Sequence, residues 1–227
     1  NAEELREAGY EEAHVLPLAL ELRRLEAAAD PEVLAKYQDG KLNVLFVGRC
    51  VPNKRLEDLL YAHYYLQNYH RPDARLLHVG SFAGTEPYLA MLQSVKRDLK
   101  LNHVDFVGSV PESHLCAYYQ LADVFLCMSE HEGFGIPLLE AMQARLPVLA
   151  FDSAAVAETM DGAGLLFRDK IFDEIAAWTV RLAEPGPLRD QVIAQQNKRL
   201  QRYEDQQVEA KLKGLLAPLL EGSVLPG

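Results

Sequence analysis

Short apolar segments alternate with longer helix-favouring stretches along most of the chain. The apolar segments are rich in β-branched and aromatic residues, which is typical of buried strands, and they predict strands at residues 43–47, 75–79, 104–107, 124–128, 148–151 and 164–167. The stretches between and after them predict helices near residues 56–69, 86–99, 112–121, 137–144, 154–160, 172–183, 187–203 and 208–220. This alternation favours βαβ units, and the sequence therefore predicts an α/β fold with a Rossmann-like parallel sheet flanked by helices.

The two ends of the chain differ from this central pattern. Residues 1–40 combine Glu- and Ala-rich helical stretches with a short apolar segment at 15–18 and have no clear sheet pattern, so they are predicted to form an interdomain linker or edge region. Residues 41–203 are predicted to form the Rossmann-like domain. Residues 204–227 are predicted to be a C-terminal helix followed by a frayed Pro/Gly-rich tail.

Charge and composition exclude several classes of function. The 227 residues carry a formal net charge of −10, which argues against a nucleic-acid-binding surface or an anionic-membrane surface. The three cysteines form no Cys-x-x-Cys pair, which indicates free thiols in a cytoplasmic protein. No apolar run approaches the roughly 18–20 residues that span a bilayer, so no transmembrane segment is expected.

A glycine-containing turn after the fourth predicted strand is the first candidate site. Gly133 and Gly135 would let the backbone approach a ligand closely, and the following helix would present free N–H groups to an anion. Glu132 in the loop and Glu140 about one turn into the helix could face one pocket, where carboxylates accept hydrogen bonds from sugar hydroxyls. A glutamate early in a helix also stabilises the helix dipole by about 0.3–1 kcal/mol, so the spacing alone leaves both interpretations open.

The turn after the first predicted strand lacks the patterns of common nucleotide enzymes. Residues 48–55 contain a single glycine, in contrast to a dinucleotide-binding Gly-x-Gly-x-x-Gly or a P-loop Gly-Lys-Ser/Thr. The chain also has neither a His-Glu-x-x-His metal motif nor a Gly-x-Ser-x-Gly nucleophile elbow. Nicotinamide chemistry, a bound metal and serine hydrolysis are therefore disfavoured.

Two cations on this first turn form the second candidate site. Arg49 and Lys54 lie at the carboxyl end of a strand, where both could reach one anion. Arginine offers a bidentate fork to phosphate oxygens and lysine a compact point charge, a combination that suits a diphosphate. The alternative, that both are solvated surface charges, remains open at this point. Arg55 is assigned no role.

Both turns resemble motifs of one enzyme family. Glu132-Gly-Phe-Gly followed by Glu140-Ala-Met, with seven residues between the glutamates, resembles the donor-site motif of GT-B fold retaining glycosyltransferases, the group 1 or family 4-like enzymes. Gly48, Arg49 and Lys54 resemble the family's diphosphate-binding turn, and the segment ending at Val110 resembles its fourth strand. The ordered matches extend from residue 43 to about residue 167.

The resemblance implies the C-terminal, donor-binding domain of a hexosyltransferase-type enzyme, with residues 41–203 holding a nucleotide-diphospho-sugar as substrate and needing no cofactor or metal. Arg49 and Lys54 would stabilise the diphosphate. Glu132, helped by the backbone of Gly133, Phe134 and Gly135, would bind the transferred sugar with retention of configuration. Three further residues would contact the nucleotide: Gly48 at the diphosphate, Val110 at the base and Glu140 at the ribose.

The resemblance also implies a missing half. The family places its acceptor site in an N-terminal domain, and this chain begins at Asn1, so we expect an excised piece that transfers no sugar alone. The sequence departs from the family at Arg55, Arg145 and residues 154–155, where glycine is common. A non-enzymatic nucleotide-binding or scaffolding module with the same fold remains the alternative. A sugar-nucleotide epimerase would need a Tyr-x-x-x-Lys pair, which Tyr118 and Tyr119 do not provide.

Overall fold

The computed structural model describes residues 2–10, 25, 27–153, 155–203 and 205–221. They belong to two compact units, one formed by Leu22–Arg199 and the other by Asn1–Glu21 together with Leu200–Gly227. The first unit contains the whole sheet. The apolar segment at 15–18, Ala154 and the tail at 222–227, about which the sequence made predictions, lie outside the described residues.

Six parallel strands form one sheet in the order β3-β2-β1-β4-β5-β6. The strands are β1 (Asn43–Val47), β2 (Arg75–Val79), β3 (Val104–Gly108), β4 (Val124–Cys127), β5 (Val148–Phe151) and β6 (Leu165–Phe167). The chain winds outward from β1 to β3, returns to the centre at β4 and then winds outward on the other side. The predicted Rossmann-like parallel sheet is confirmed.

Helices follow the strands in the predicted alternation. They are α1 (Ala2–Glu7), α2 (Pro31–Tyr37), α3 (Leu56–Tyr65), α4 (Glu86–Asp98), α5 (Glu112–Leu121), α6 (Ile136–Gln143), α7 (Ala155–Met160), α8 (Phe172–Ala183), α9 (Pro187–Leu200) and α10 (Asp205–Glu221). A 3-10 turn at Pro52–Lys54 precedes α3, and a π-helical segment at Leu66–His70 extends it. No helix in the described part of the chain has the length and apolar character needed to cross a membrane.

Helix α2 lies within the region predicted to be a linker. Asp30 caps it, because one carboxylate oxygen accepts hydrogen bonds from the backbone N–H groups of Glu32 at 3.0 Å and Val33 at 2.9 Å. Val33 and Tyr37 are buried, and the helix packs against α5. Part of residues 1–40 is thus built into the sheet-containing unit, while the domain boundaries given above stay predictions.

The central strands are buried on both faces of the sheet. Leu45 on β1, Leu77 on β2 and Phe125 on β4 lie side by side in register, and each is 0% exposed. This explains why the strands read as continuous apolar segments without an alternating polar face. The winding reverses between β1 and β4, so the loops after these two strands border a crevice at the carboxyl edge of the sheet, where open α/β sheets bind ligands.

Candidate functional site

The turn between β1 and α3 carries Gly48, Arg49 and Lys54. The Gly48 N–H donates to the carbonyl oxygen of Val79 at 3.0 Å, which joins the turn to the end of β2. A side chain at Gly80 would place its Cβ 1.9 Å from the Gly48 carbonyl oxygen, so this close approach requires glycine. Arg49 is exposed and has no ion pair with any described residue, so its guanidinium is accessible to a ligand.

The loop between β4 and α6 is hydrogen-bonded directly to that turn. The Glu130 N–H donates to the carbonyl oxygen of Asn53 at 3.0 Å, and the Asn53 side-chain amide donates to the carbonyl oxygen of His131 at 3.1 Å. On the other side, the Ser153 hydroxyl donates to the carbonyl oxygen of Ser129 at 2.6 Å. Sequence reasoning missed Asn53, although an asparagine in a turn, directly before a candidate lysine, is a recognisable signal for such bonds.

Lys54 and Glu132 meet where the two loops join. The Lys54 Nζ lies 2.6 Å from the Glu132 Oε2 and 3.4 Å from the carbonyl oxygen of His131. The two side chains are only 16% and 11% exposed, so the ion pair is largely shielded from solvent. The structure therefore brings together one residue from each of the two sites predicted separately.

The glycine-containing turn leads into α6. Gly135 adopts a left-handed conformation with φ of 79° directly before the first residue of the helix. The carbonyl oxygen of Phe134 accepts a short hydrogen bond from the Thr159 hydroxyl, which fixes the turn from the side of α7. Within the described chain, the N–H groups of Gly133 and Gly135 donate no hydrogen bond; Gly133 is exposed and Gly135 is buried.

Glu140 occupies a different environment from Glu132. It lies in the interior of α6, is 3% exposed, and accepts a hydrogen bond from the Tyr119 hydroxyl at 2.8 Å. Tyr119 projects from α5 and is itself 1% exposed. Sequence reasoning considered this tyrosine only as an epimerase residue, and its contact with Glu140 depends on the packing of α5 against α6.

Val110 lies at the same edge of the sheet as the other predicted residues. It follows β3, and β2 separates that strand from β1. The ends of β2 and β3 are joined by a backbone hydrogen bond, because the Gly80 N–H donates to the carbonyl oxygen of Gly108 at 2.9 Å. Val110 is partly exposed.

A second concave surface lies along the outer edge of β3. This groove of about 610 Å³ is bordered by three cations, Lys36, Lys96 and Arg97, together with Asp105 and Tyr118. Lys96 donates to the carbonyl oxygen of Val104 at 2.6 Å, an arrangement that blunts an open strand edge. The groove does not include Arg49, Lys54, Glu132 or Glu140 among its lining residues, so it is distinct from the junction of Lys54 and Glu132.

Titratable groups near the junction limit its chemistry. Burial raises the pKa of the Cys50 and Cys127 thiols to about 11, so neither supplies a thiolate nucleophile at neutral pH. The described residues contain no group of three His, Cys, Asp or Glu side chains arranged to hold a metal ion. Among the sequence-predicted residues on the two loops, the charged groups are the cations Arg49 and Lys54 and the carboxylate of Glu132.

Curated relatives of the chain are sugar transferases. The O-antigen chain mannosyltransferase B of Escherichia coli is 30% identical over 159 residues, which cover 70% of this chain and 41% of that protein. The GDP-mannose-dependent alpha-(1-6)-phosphatidylinositol monomannoside mannosyltransferase of Mycobacterium tuberculosis is 32% identical over 164 residues, covering 67% of this chain and 41% of the relative. The chain thus spans less than half the length of these relatives.

Solved glycosyltransferase structures share the fold. Anabaena HepE, in complex with UDP and glucose, superposes with a TM-score of 0.75 at 22% identity, covering 94% of this chain and 59% of HepE. The C-terminal domain of a glycosyl transferase group 1 family protein, LpcC from Francisella tularensis, superposes with a TM-score of 0.63 at 22% identity, covering 80% of this chain and 96% of that domain.

The family model for glycosyl transferases group 1 matches residues 29–199, more than half of the chain. That range contains all six strands and both loops of the Lys54 and Glu132 junction. The α/β architecture expected of the GT-B glycosyltransferases is the one observed. The chain therefore belongs to the glycosyl transferases group 1 family.

Proposed function

We propose that this chain is the donor-binding domain of a retaining hexosyltransferase and that it binds a nucleotide-diphospho-sugar between the β1–α3 turn and the β4–α6 loop. The observation that carries the proposal is the shielded contact of 2.6 Å between Lys54 and Glu132. It joins a group suited to phosphate with a group suited to sugar hydroxyls, at the edge of the sheet where such folds bind ligands.

Arg49 and Lys54 would hold the diphosphate, with Gly48 allowing its close approach. As the glycosidic bond breaks, negative charge grows on the departing phosphate, so cations placed there stabilise the transition state more than the bound substrate. Two side-chain cations on one turn would supply this charge without a metal ion. The exposure of Arg49 and its lack of an ion pair within the described chain support this role.

Glu132 would accept hydrogen bonds from hydroxyls of the transferred hexose. The backbone N–H groups of Gly133 and Gly135, with Phe134 between them, would add donors and fix the anomeric carbon for attack. Glu140 would bind the ribose, with Tyr119 holding its carboxylate, and the backbone at Val110 would border the base. Retention of configuration rests on the resemblance of these motifs to the GT-B retaining enzymes.

The acceptor would bind to a part of the protein that this chain does not contain. The chain spans 41% of each of the two curated relatives described above and covers 96% of the separately solved C-terminal domain from Francisella tularensis. We therefore expect the chain to bind donor and to transfer sugar only when joined to an N-terminal domain. A cytoplasmic location remains a prediction from its free cysteines.

Calorimetric titration tests the donor site. The wild-type chain is titrated with UDP, GDP and ADP, and then with UDP-glucose and GDP-mannose. Arg49→Ala and Lys54→Ala are each expected to weaken binding by about tenfold or more, because each removes a charge-assisted contact to phosphate. Lys41→Ala, whose ion pair of 2.6 Å with Asp39 lies at the opposite end of β1, is the matched control. Binding of none of the nucleotides, or equal affinity in all four proteins, would refute the site.

A sugar-transfer assay on the chain fused to an upstream acceptor domain distinguishes the enzyme from a non-enzymatic module with the same fold. Glu132→Gln is expected to reduce transfer strongly while the nucleotide still binds, because the sugar loses its orienting carboxylate. Transfer that does not respond to this substitution would count against the enzymatic role of the site.

A further inference from the structure

Four charged residues from three loops and the first turn of α3 meet beside the candidate donor site. Arg55 ends the β1–α3 turn, Asp58 lies in the first turn of α3, Glu130 lies in the β4–α6 loop, and Lys170 follows β6. The Lys170 Nζ lies 2.7 Å from the Asp58 Oδ2 and 2.9 Å from the Glu130 Oε1. The Arg55 Nε lies 3.0 Å from the same Asp58 oxygen and 3.3 Å from the same Glu130 oxygen. We call these four residues the loop clamp.

Asp58 and Lys170 are the two buried members of the loop clamp, and burial makes each depend on the charge of the other. The Asp58 side chain is 4% exposed and the Lys170 side chain 16%. A buried carboxylate needs a paired cation, and here Arg55 also contacts both Asp58 oxygens, at 3.0 Å and 3.3 Å. Lys170 additionally lies 4.5 Å from the ring centroid of Phe151 at the end of β5. Its ammonium group therefore has a fixed position between β5 and α3.

The loop clamp acts on the segment that carries Glu132. The carboxylate of Glu130 is bound by Lys170 and Arg55, while its backbone N–H donates to Asn53 at 3.0 Å. Two residues later, Glu132 meets Lys54. The start of the loop is thus held through both its backbone and a side chain. A loop with fewer restraints would let the Glu132 carboxylate move relative to Lys54.

We infer that Lys170 is a positioning residue for Glu132: by binding Glu130 and Asp58 together, it fixes the β4–α6 loop against α3 so that Glu132 is oriented toward the sugar of the donor. Lys170 makes no contact with the substrate in this account and acts through Glu130. The inference rests on the proposed donor site, because orientation of Glu132 affects binding only if Glu132 contacts the sugar.

The first test needs no ligand. Hydrogen exchange of backbone amides in residues 129–135 is compared between the wild-type chain, Lys170→Met and the control Lys41→Met, which removes an ion pair of similar length elsewhere. Loss of the lysine is expected to accelerate exchange in this loop at least roughly twofold, because the ion pairs no longer oppose local opening of the loop. Exchange equal to wild type in this loop would overturn the inference.

The second test measures the contribution of the sugar to binding. For each protein, the affinity for UDP-glucose or GDP-mannose is divided by the affinity for the matching nucleoside diphosphate. Lys170→Met is expected to lower this ratio roughly twofold to fivefold while changing the diphosphate affinity little, and Lys170→Arg is expected to restore it. An equal loss for both ligands would indicate a general structural role and contradict the positioning role.

Glu130→Gln keeps the test informative if the methionine variant does not fold. Glu130 has a half-exposed side chain, so the substitution removes the link to Lys170 without creating a buried defect. Like Lys170→Met, it is expected to accelerate exchange in residues 129–135 and to lower the ratio of sugar-nucleotide to diphosphate affinity. If the wild-type chain binds no nucleotide, the proposed function fails and the exchange result still decides whether Lys170 holds the loop. If the wild type shows a sugar ratio that both variants retain, the positioning role fails and the donor site stands.

Discussion

At the scale of single residues, Lys54 has two competing partners in the proposed donor site. It pairs with Glu132 at 2.6 Å in the structure, and the proposal also gives it the diphosphate of the donor. A nucleoside diphosphate without sugar would therefore compete with the glutamate for the lysine. A complete sugar nucleotide would replace the lost lysine contact, because the sugar hydroxyls would donate hydrogen bonds to the Glu132 carboxylate. Binding of the sugar and of the diphosphate is expected to be coupled through this one ion pair.

Glu132→Gln tests this coupling, because the amide removes the negative charge and keeps the size of the side chain. We expect UDP or GDP to bind the variant roughly twofold to fivefold more tightly than the wild type, since the ion pair no longer competes for Lys54. The sugar nucleotide should lose part of its advantage over the diphosphate. Calorimetry with both ligands measures the two effects, and weaker binding of the diphosphate by the variant would contradict the competition.

Residue types were readable from the sequence, but their environments were not. The spacing of Glu132 and Glu140 suggested that both face one pocket, but it gave no sign that Glu140 is 3% exposed and bonded to Tyr119 or that Glu132 is paired with Lys54. The difference arises from the packing of α5 against α6, which no local pattern encodes. Arg55 illustrates the same limit, since its contacts with Asp58 and Glu130 form only when separate loops meet.

At the scale of elements, two turns place arginine in a left-handed backbone conformation. Arg55 has φ of 52° before α3, and Arg145 has φ of 59° between α6 and β5. The glycosyltransferase family commonly has glycine at both positions, and the left-handed conformation explains why glycine is favoured there. For a residue with a side chain this conformation costs roughly 1–2 kcal/mol. Only Arg55 has carboxylate partners within the described chain to offset that cost.

Replacing each arginine by glycine separates strain from side-chain contacts. Arg145→Gly is expected to raise the free energy of unfolding by about 0.5–1 kcal/mol, because relief of strain exceeds the added entropy of the unfolded chain. Arg55→Gly is expected to lower it by about 1 kcal/mol, because the ion pairs to the buried Asp58 and to its neighbours are lost. Urea unfolding measures both, and equal stabilisation by the two substitutions would contradict the account.

Strands were predicted better than their surroundings. The strands at 43–47, 75–79 and 148–151 agree with the sequence pattern to the residue, because buried parallel strands are continuous apolar runs between polar turns. The helix predicted at 56–69 is instead α3 followed directly by a π-helical segment from Leu66 to His70. Helix α2 lies in the region where the sequence predicted helical stretches without bounds, and its start is fixed by the cap at Asp30.

At the scale of the whole molecule, the free energy of unfolding is expected to depend on pH through a buried histidine. His63 is 2% exposed, its Nε2 lies 3.0 Å from the carbonyl oxygen of Asn102, and its Nδ1 has no hydrogen-bond partner among the described residues. Burial lowers the pKa of His63 from 6.5 to about 4. Between these values the unfolded chain binds a proton that the folded chain does not, so stability is present above pH 6.5 and is lost as the pH falls toward 4.

The expected loss of stability at low pH is large enough to measure. Between pH 7 and pH 5, His63 is expected to account for a loss of about 2 kcal/mol in the free energy of unfolding. His63→Gln keeps a donor for Asn102 and removes the titration, so its stability should fall less over this interval than that of the wild type. Urea unfolding at the two pH values gives the comparison, and parallel losses in the two proteins would show that His63 does not carry the effect.

The location of the donor site is the central claim, and backbone NMR during titration with UDP or GDP tests it most directly. The groove at the edge of β3, with Lys36, Lys96 and Arg97, is the rival place for an anionic ligand. We predict that the amide signals of residues 48–55 and 132–135 shift together and saturate with one dissociation constant. Shifts confined to the residues that border the groove, with the Lys54 and Glu132 loops unchanged, would contradict the account.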